Sequence, residues 1–330
     1  TYYFNNFPSN KLELTLWIES ERMLHPIITE KAIKTQQEVV KEEKRLRENQ
    51  PYGDLFNVVS ENLFKVHPYN NFIIGSMDDL SSASVDYYLE FNKKFHVPNN
   101  AALVVAGDID IEKTRDLIKK YFSDIPRGVD IPREYPMEEE ITSAIKVESF
   151  DKNIQIPAYL LGYRTPGHNE REAYVMEMIS IYLSSGQSSK LYKKIVDEKK
   201  LALQISSQNL SLEDYGVYFI FSLPMGDTNM ETIMSEIDSE IELMQTNLIS
   251  DKDFQKLQNI IENRFVSSNS TVAGIGNSLA HNYFFHDSTN HINTELDIYK
   301  SISKEEIRMV AKKLLGKNQR LELKYLPENE

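Results

Sequence analysis

Two stretches of the sequence end in the same way, with an amphipathic helix followed by a short apolar strand. In the first, Ser81 opens a helix and residues 101–106 form the strand. In the second, Ser303 opens the last helix, Glu306 completes a capping box, and residues 321–326 form the last strand. The two helix starts are 222 residues apart, a spacing that suggests two homologous domains rather than a short-period solenoid. Helix-then-strand endings are also common in α/β chains, so coincidence is the alternative.

The remaining periodicity divides between helix and strand. It predicts helices at about 9–23, 30–48, 55–64, 81–95, 111–122, 170–184, 188–199, 229–246 and 251–266, and strands near 2–4, 101–106, 144–150, 156–163, 203–210 and 215–223. This mixture predicts an α+β protein.

A change of composition separates the two halves. Pro126, Pro132 and Pro136 precede an acidic run at residues 138–140, a pattern typical of a linker. This change of composition predicts a linker at residues 129–143 between two halves of the chain.

Composition narrows the classes of function. Apolar residues make up 41% of the chain, with 18 Tyr and 15 Phe, so a packed core is expected. A formal net charge of −13 disfavours nucleic acid as a partner, because phosphates need a basic surface. The chain has no Cys, which excludes disulfides, thiolate metal sites and Cys nucleophiles. No apolar run approaches the length of a membrane span.

The helix predicted at residues 30–48 carries a carboxylate in an unexpected place. At ~100° per residue, its apolar residues share one side, namely Ala32, Ile33, Val39, Val40 and Leu46. Gln36 and Glu43 fall near the centre of that side, two turns apart. Because burying a bare charge is very costly, Glu43 needs a cation or a metal as its partner. By spacing alone, a buried salt bridge, for instance with Arg47, is favoured over a metal site.

Three segments carry a resemblance to a known family. They are TQQEVVKEEKRLRENQPYGDLF, HPYNNFIIGSMDDLSSASVDYYLEFNKKFHVPNNAALVVAGDID and SSGQSSKLYKKIVDEKKLALQIS. The sequence resembles the bacterial M16 (pitrilysin/insulinase-like) zinc metallopeptidases from Thr1 to its end, more specifically in its first half. The resemblance implies two homologous α/β domains, each a mostly antiparallel sheet packed with helices. Residues 1–128 would be the remainder of the N-terminal domain, residues 129–143 the linker, and residues 144–330 the C-terminal domain. The opening Tyr2-Tyr3-Phe4 is similar to the strand after the active-site edge strand of that family, so we expect a fragment of a longer gene product.

The resemblance implies a zinc site. In the family, two His and a general-base Glu form an HxxEH motif, and a Glu on a second helix completes the ligands. The downstream ligand corresponds to Glu43, and the acidic position seven residues before it corresponds to Gln36, which can still donate and accept hydrogen bonds. None of the seven His lies in HxxEH, so we expect the motif a few tens of residues before Thr1. The fragment, with one ligand, is expected to be inactive and to hold no zinc tightly.

The resemblance also implies partners. Many M16 enzymes grip a peptide substrate with an Arg/Tyr pair, and Val196 and Leu203 stand at those positions here. Two hypotheses follow. The chain belongs to a zinc endopeptidase subunit that cleaves peptides or unfolded polypeptides and pairs with a second M16-like subunit, as a homo- or heterodimer. Alternatively, it belongs to a non-catalytic subunit that accompanies an active peptidase. A bacterial periplasmic or cytoplasmic location is compatible with either.

Other candidate sites favour structural interpretations. His281, His286 and His291 are evenly spaced, but neighbouring Asn residues predict an ordinary polar loop rather than a metal site. His67 in His67-Pro68-Tyr69 is interpreted as part of a packed turn. Gly186 lacks the GxxxxGK[ST] context of a phosphate loop, so helix capping is the better interpretation.

Overall fold

The computed structural model describes residues 1–71 and 73–328. Phe72 of the second family-like segment and the last two residues of the predicted domain 144–330 lie outside the described residues. The contacts group the chain into two compact units. Unit 1 comprises Thr1–Glu42, Gly75–Glu134 and Val266–Ile292, and unit 2 comprises Glu43–Ile74, Tyr135–Phe265 and Asn293–Glu330. The division into domains 1–128 and 144–330 with a linker at 129–143 stays a prediction.

The described residues form α-helices of 6 to 19 residues, and side-chain caps begin at least half of them. They are α1 (Leu12–Leu24), α2 (Glu30–Glu48), α3 (Leu55–Leu63), α4 (Met77–Ser82), α5 (Val85–Phe95), α6 (Ile111–Phe122), α7 (Arg171–Ser184), α8 (Met230–Thr246), α9 (Asp251–Ser268), α10 (Val272–His286), α11 (His291–Ser301) and α12 (Lys304–Leu314). Short 3₁₀ turns occupy Ser9–Lys11, Pro68–Asn70 and Pro98–Asn100, and a π-helix spans Tyr192–Glu198. Within the described chain, every helix is too short or too polar to cross a bilayer.

Unit 2 is built on a mixed five-stranded sheet. Its strands are β1 (Ile145–Asp151), β2 (Ala158–Pro166), β3 (Ala202–Ser211), β4 (Tyr215–Pro224) and β5 (Arg320–Pro327), in the spatial order β1-β5-β2-β4-β3. Only β1 and β5 pair in parallel; the other three pairs are antiparallel. This confirms the α+β class and the mostly antiparallel sheet. That the protein contains two homologous domains of this kind stays a proposal.

Apolar layers cover both faces of the sheet, which is why the central strands are apolar on both sides. On one face, α7, α8 and α12 bury residues such as Ile179, Ile237 and Ile307 in the larger core. On the other face, α3 buries Leu63 against Leu160 and other strand residues. Burying large aliphatic side chains contributes about 1.5–3 kcal/mol each, so these two layers dominate the stability of unit 2.

The regular structure of unit 1 is helical, and its described residues contain no strand. Side-chain caps begin three of its helices, with Ser76 in a capping box on α4, Ser84 on α5 and Asp110 on α6. Helices α1 and α6 lie together, and the Glu13 carboxylate accepts hydrogen bonds from Lys120 Nζ and the hydroxyl of Tyr121, both at 2.8 Å.

Most helix and strand predictions are confirmed, including α2, α6 and the Ser303–Glu306 capping box. Three predictions are wrong. First, Ser81 was predicted to open the helix of the first duplicated ending, but it lies inside α4, and α5 begins after Ser84. The helix of the second ending starts at Ser303 as predicted. Residues 2–4 and 101–106 form no strand, because a strand requires a hydrogen-bonded neighbour and the described residues supply none there. Finally, 281–291 is not a polar loop, since α10 and α11 occupy most of it.

Candidate functional site

The candidate site lies on one face of α2. Residues Ala32, Gln36, Val39, Glu43 and Leu46 recur every three or four positions and therefore form one line along the helix, which we call the α2 stripe. All five are exposed; 53% of the Val39 side chain and 59% of the Leu46 side chain face solvent. Ile33, on the same predicted apolar side, is buried, so α2 turns only one edge of that side to a core and leaves the α2 stripe exposed.

Glu43 is the fourth of the five residues of the α2 stripe, and it is exposed. The buried salt bridge favoured from spacing, with Arg47 as the partner, is therefore wrong. Three ion pairs of α2 lie on other sides of the helix: Lys34–Glu30, Lys41–Glu38 and Lys44–Glu48, with N–O distances of 2.6, 2.8 and 2.8 Å. The sequence predicted which side of the helix carries Glu43, but whether that side is buried depends on what packs against it.

The C-terminal end of α2 is held by a tight turn at Pro51-Tyr52-Gly53. The backbone of Tyr52 is left-handed, with φ of 61°. A Cβ atom placed on Gly53 would lie 1.9 Å from the carbonyl oxygen of Arg47 in the last turn of α2. Only glycine permits this close approach, so the turn fixes how the chain leaves the helix that carries Glu43.

Asp151, at the end of β1, anchors that turn to the sheet of unit 2. Its carboxylate accepts hydrogen bonds from the backbone N–H of Tyr52 (3.2 Å), the backbone N–H of Asn153 (2.7 Å) and the hydroxyl of Tyr325 (3.3 Å). The Asn153 side chain donates to the carbonyl oxygen of Glu48, the last residue of α2 (3.1 Å). Asp151 and Asn153 therefore hold the end of α2 little more than one turn beyond Glu43.

The Tyr52 side chain strengthens the same anchor. Its hydroxyl donates to the carbonyl oxygen of Ile156 (2.8 Å), and its ring lies 6.0 Å from that of Phe221 and 6.3 Å from that of Tyr325. Burial, followed by the negative charge of Asp151, raises the pKa of Tyr52 above its ordinary value, so this hydroxyl stays protonated and remains a donor.

Val196 and Leu203 are both present in unit 2 but offer no polar group. Val196 lies in the π-helix and packs against the larger core. Leu203 lies on β3 and is 49% exposed. The π-helix is followed by Lys200 at φ of 52°, a conformation that costs a non-glycine residue roughly 1–2 kcal/mol. The π-helix is joined to α8 by Lys194, whose Nζ lies 3.4 Å from a carboxylate oxygen of Glu236 and 2.9 Å from one of Glu240.

The donor set for a metal is incomplete in this chain. Among the described residues there is no group of three or more His, Asp or Glu side chains that could hold a metal ion. Glu43 is one oxygen donor, and Gln36 lies seven residues before it on the same stripe. Catalytic zinc sites take three protein ligands, so the residues present do not fit zinc by themselves.

The three evenly spaced histidines come together in space, which sequence spacing missed. His286 ends α10 and His291 begins α11, and their rings stack with centroids 4.0 Å apart and an interplanar angle of 18°. The His281 ring centroid lies 6.1 Å from that of His286. Imidazole lone pairs lie in the ring plane, so two stacked rings do not direct them at one common ion. The tight turn between the two helices, with Asp287 at φ of 52°, brings them together.

His67 is buried, with 1% of its surface exposed, which confirms the prediction of a packed turn. Its Nδ1 accepts from the backbone N–H of Tyr69 at 3.3 Å, and its Nε2 lies 3.2 Å from a carboxylate oxygen of Asp214. Helix capping at Gly186 is also confirmed. The residue follows the end of α7 with φ of 75°.

Comparison with known proteins identifies the family. Residues 82–261, more than half of the chain, match the family model for the peptidase M16 inactive domain. The chain therefore belongs to the M16 peptidase family, and its matched region is of the inactive-domain type.

Individual relatives agree with this assignment. The chain is 28% identical over 282 residues to a Helicobacter pylori protein named zinc protease PqqE, an alignment that covers 83% of this chain and 63% of that protein. It is 24% identical over 288 residues to an uncharacterized zinc protease of Rickettsia felis, covering 86% of this chain and 67% of that protein. The chain thus spans less than two thirds of the length of the H. pylori relative.

Solved structures show the same fold. A protease from Helicobacter pylori superposes with a TM-score of 0.89 at 23% identity, over 97% of this chain and 78% of that one. The peptidase M16 inactive domain from Pseudomonas fluorescens superposes with a TM-score of 0.83 at 13% identity, over 97% and 76% of the two chains.

Proposed function

We propose that this chain is part of a zinc-dependent M16 endopeptidase subunit, in which Glu43 is the metal ligand contributed by α2. The observation that carries the proposal is the position of Glu43 on the α2 stripe, five residues before the end of a helix that Asp151 and Asn153 anchor. A ligand must be held within a fraction of an ångström, and this anchoring provides a rigid support for one. Relatives named zinc proteases support the same function.

The remaining ligands are proposed to come from an HxxEH motif a few tens of residues before Thr1. An upstream segment that covered the α2 stripe would bury Val39 and Leu46 and bring its histidines to Glu43. Gln36, on the same line, is proposed to hydrogen-bond one of those ligands. The chain on its own supplies one donor, so no catalytic step is assigned to it.

The second part of the proposal is that a different subunit supplies the hydrogen-bond donors that hold the peptide substrate. Val196 is packed into the core and Leu203 has an apolar side chain, so neither donates a hydrogen bond to a peptide carbonyl. A second M16-like subunit is proposed to supply those donors. A homodimer would present the same two apolar residues twice, so a different chain is the better partner.

The alternative candidate is a non-catalytic M16 subunit that accompanies an active peptidase. The match to the inactive-domain model and the apolar residues at 196 and 203 favour it. The two candidates differ in what lies upstream: an HxxEH motif supports the peptidase, and replacement of its two histidines supports the non-catalytic subunit.

The deciding experiment compares two neighbouring glutamates in the longer protein. Glu43→Gln is expected to lower zinc occupancy, measured by elemental analysis, together with cleavage of a fluorogenic peptide. Glu42→Gln is the matched control, because Glu42 is also exposed but lies ~100° around the helix from Glu43. Equal loss of zinc in both variants would show that Glu43 is not the ligand.

The partner is tested separately. The longer subunit is assayed for peptide cleavage alone and after addition of a related chain that carries Arg and Tyr at the positions of Val196 and Leu203. We expect activity only in the mixture. Full activity of the subunit alone would contradict the two-chain arrangement and leave the assignment of Glu43 intact.

A further inference from the structure

One carboxylate of the predicted linker is turned into unit 2. We call residues 135–141 the strap; it has no helix or strand. Within its acidic run 138–140, residues 139 and 140 are exposed, whereas the Glu138 side chain is only 4% exposed. Glu138 therefore differs from its two neighbours in its surroundings.

Three consecutive backbone N–H groups converge on Glu138. One oxygen of its carboxylate accepts from the N–H of Lys65 (2.6 Å), Val66 (2.8 Å) and His67 (2.8 Å), immediately after α3. The other oxygen lies 3.5 Å from Nη2 of Arg164 on β2, whose side chain is 12% exposed. Successive N–H groups that point to one spot form an anion-binding nest, and a guanidinium beside it adds a full positive charge.

The strap backbone is attached at two further points. The N–H of Glu138 donates to the hydroxyl of Tyr215 on β4 (2.7 Å), and Nη1 of Arg164 donates to the carbonyl oxygen of Glu139 (2.7 Å). Arg164 also donates through Nε and Nη2 to the carbonyl oxygen of Leu63, the last residue of α3 (3.1 and 2.5 Å). One guanidinium thus joins the strap, the end of α3 and the sheet.

The strap closes over an aromatic cluster. Tyr135 at its start lies 5.7 Å from the ring of the buried His67, which also contacts the rings of Tyr69 and Tyr215 at 4.2 and 5.3 Å. The Tyr69 hydroxyl accepts from the backbone N–H of Glu213 and Asp214 in the β3–β4 turn. Movement of the strap would therefore uncover a side chain that is otherwise almost fully enclosed.

We propose that the backbone N–H groups of residues 65–67 and the Arg164 guanidinium form an internal anion site whose ligand is the Glu138 carboxylate. We call this interaction the Glu138 contact, and we propose that it holds the strap against the His67 cluster. When Glu138 is shortened, the vacated site takes up a small free carboxylate such as acetate or formate. The Glu138 contact is independent of zinc and of the role of Glu43.

The charges around Glu138 determine its pH dependence. Burial alone would raise the pKa of Glu138, but the three backbone N–H donors and Arg164 outweigh it and hold the pKa below its ordinary value. The other charged or titratable groups near it are His67 with Asp214, Tyr135, Tyr215, and the exposed Glu139 and Glu140. Because the folded-state pKa is lowered, the stabilisation is present above the ordinary carboxyl pKa and is lost as pH falls through the folded value. The Glu138 contact is therefore kept at neutral pH, where the carboxylate is ionised.

The test follows amide hydrogen exchange at residues 65–67 in the full chain. In Glu138→Ala, these amides are expected to exchange at least about tenfold faster than in the unsubstituted protein, because each has lost its acceptor. Acetate or formate should restore protection in a saturable manner, whereas sodium chloride of the same ionic strength should not. Glu140→Ala is the matched control and should leave exchange at 65–67 unchanged.

Two results would overturn the proposal. The first is unchanged exchange at residues 65–67 in a folded Glu138→Ala variant. The second is faster exchange that sodium chloride restores as well as acetate does, since that result would indicate general screening. If Glu138→Ala does not fold, a ¹³C NMR titration of the Glu138 carboxyl in the unsubstituted protein replaces it. A pKa of Glu138 below the ordinary value supports the Glu138 contact, and an ordinary or raised pKa refutes it.

Discussion

The anchor at the end of α2 leads to a quantitative prediction for Asp151→Ala. Asp151 is 7% exposed, and its carboxylate accepts three hydrogen bonds, from the N–H groups of Tyr52 and Asn153 and from the Tyr325 hydroxyl. Alanine leaves all three donors without this acceptor. Tyr325 is only 2% exposed, so water cannot easily replace the carboxylate there.

The magnitude follows from the type of bond lost. Hydrogen bonds to a charged acceptor contribute about 1.5–3 kcal/mol each, and two of the three here are long, at 3.2 and 3.3 Å. We therefore expect Asp151→Ala to lower the free energy of unfolding by about 3–5 kcal/mol. For a unit of this size, ~3 °C per kcal/mol converts that loss into a fall in Tm of about 9–15 °C.

Two measurements test this prediction. Urea denaturation gives the free energy of unfolding, and hydrogen exchange of the Tyr52 amide reports on the anchor directly. Asp227→Ala is the control, because Asp227 is exposed in the turn after β4 and its loss should change stability by less than about 0.5 kcal/mol. If Asp151→Ala behaves like Asp227→Ala in both measurements, the sheet does not hold the end of α2 in the way described.

Three further substitutions test other parts of unit 2. Arg320→Met is expected to cost about 3–5 kcal/mol in urea denaturation, because Arg320 is 2% exposed and its loss removes the close cationic partner of Asp238 and Glu322, leaving each carboxylate only a lysine Nζ at 4.0 Å. Adding Asp238→Asn should recover part of that loss, and no recovery would argue against uncompensated charge as the cause. Lys200→Gly is expected to stabilise the chain by about 0.5–1 kcal/mol, seen as a higher urea midpoint, since glycine adopts φ of 52° without strain; a lower midpoint would contradict this. Gly53→Ala is expected to cost about 1–3 kcal/mol and to speed amide exchange at the end of α2, because the added Cβ would lie 1.9 Å from a main-chain carbonyl oxygen; slow exchange there would show that the turn can relax.

The sequence predicted local structure well wherever a repeating pattern decides it. The side of α2 that carries Gln36 and Glu43 follows from helical periodicity alone, and the helix is observed from Glu30 to Glu48. The capping box at Ser303 and Glu306 was visible for the same reason, because a cap depends on residues within one turn. The family resemblance, confirmed by the match at residues 82–261, came from short segments of this kind.

Tertiary structure decided everything that depends on a partner distant in sequence. Residues 101–106 have the composition of a strand, but pairing requires a neighbouring strand, so the pattern was not sufficient. Glu43 was expected to be buried and is exposed, because the burial of a helix face is set by what packs on it.

The acidic run gives the clearest contrast. By sequence, Glu138, Glu139 and Glu140 are equivalent members of the predicted linker. In the structure only Glu138 meets the converging N–H groups of residues 65–67, more than sixty positions earlier in the chain. Sequence periodicity carries information about neighbours within a few turns, whereas the position of a backbone nest depends on the whole path of the chain between them. The sequence therefore determined the helices, the caps and the family, and the packing of α3, β2 and β4 determined which carboxylate is held.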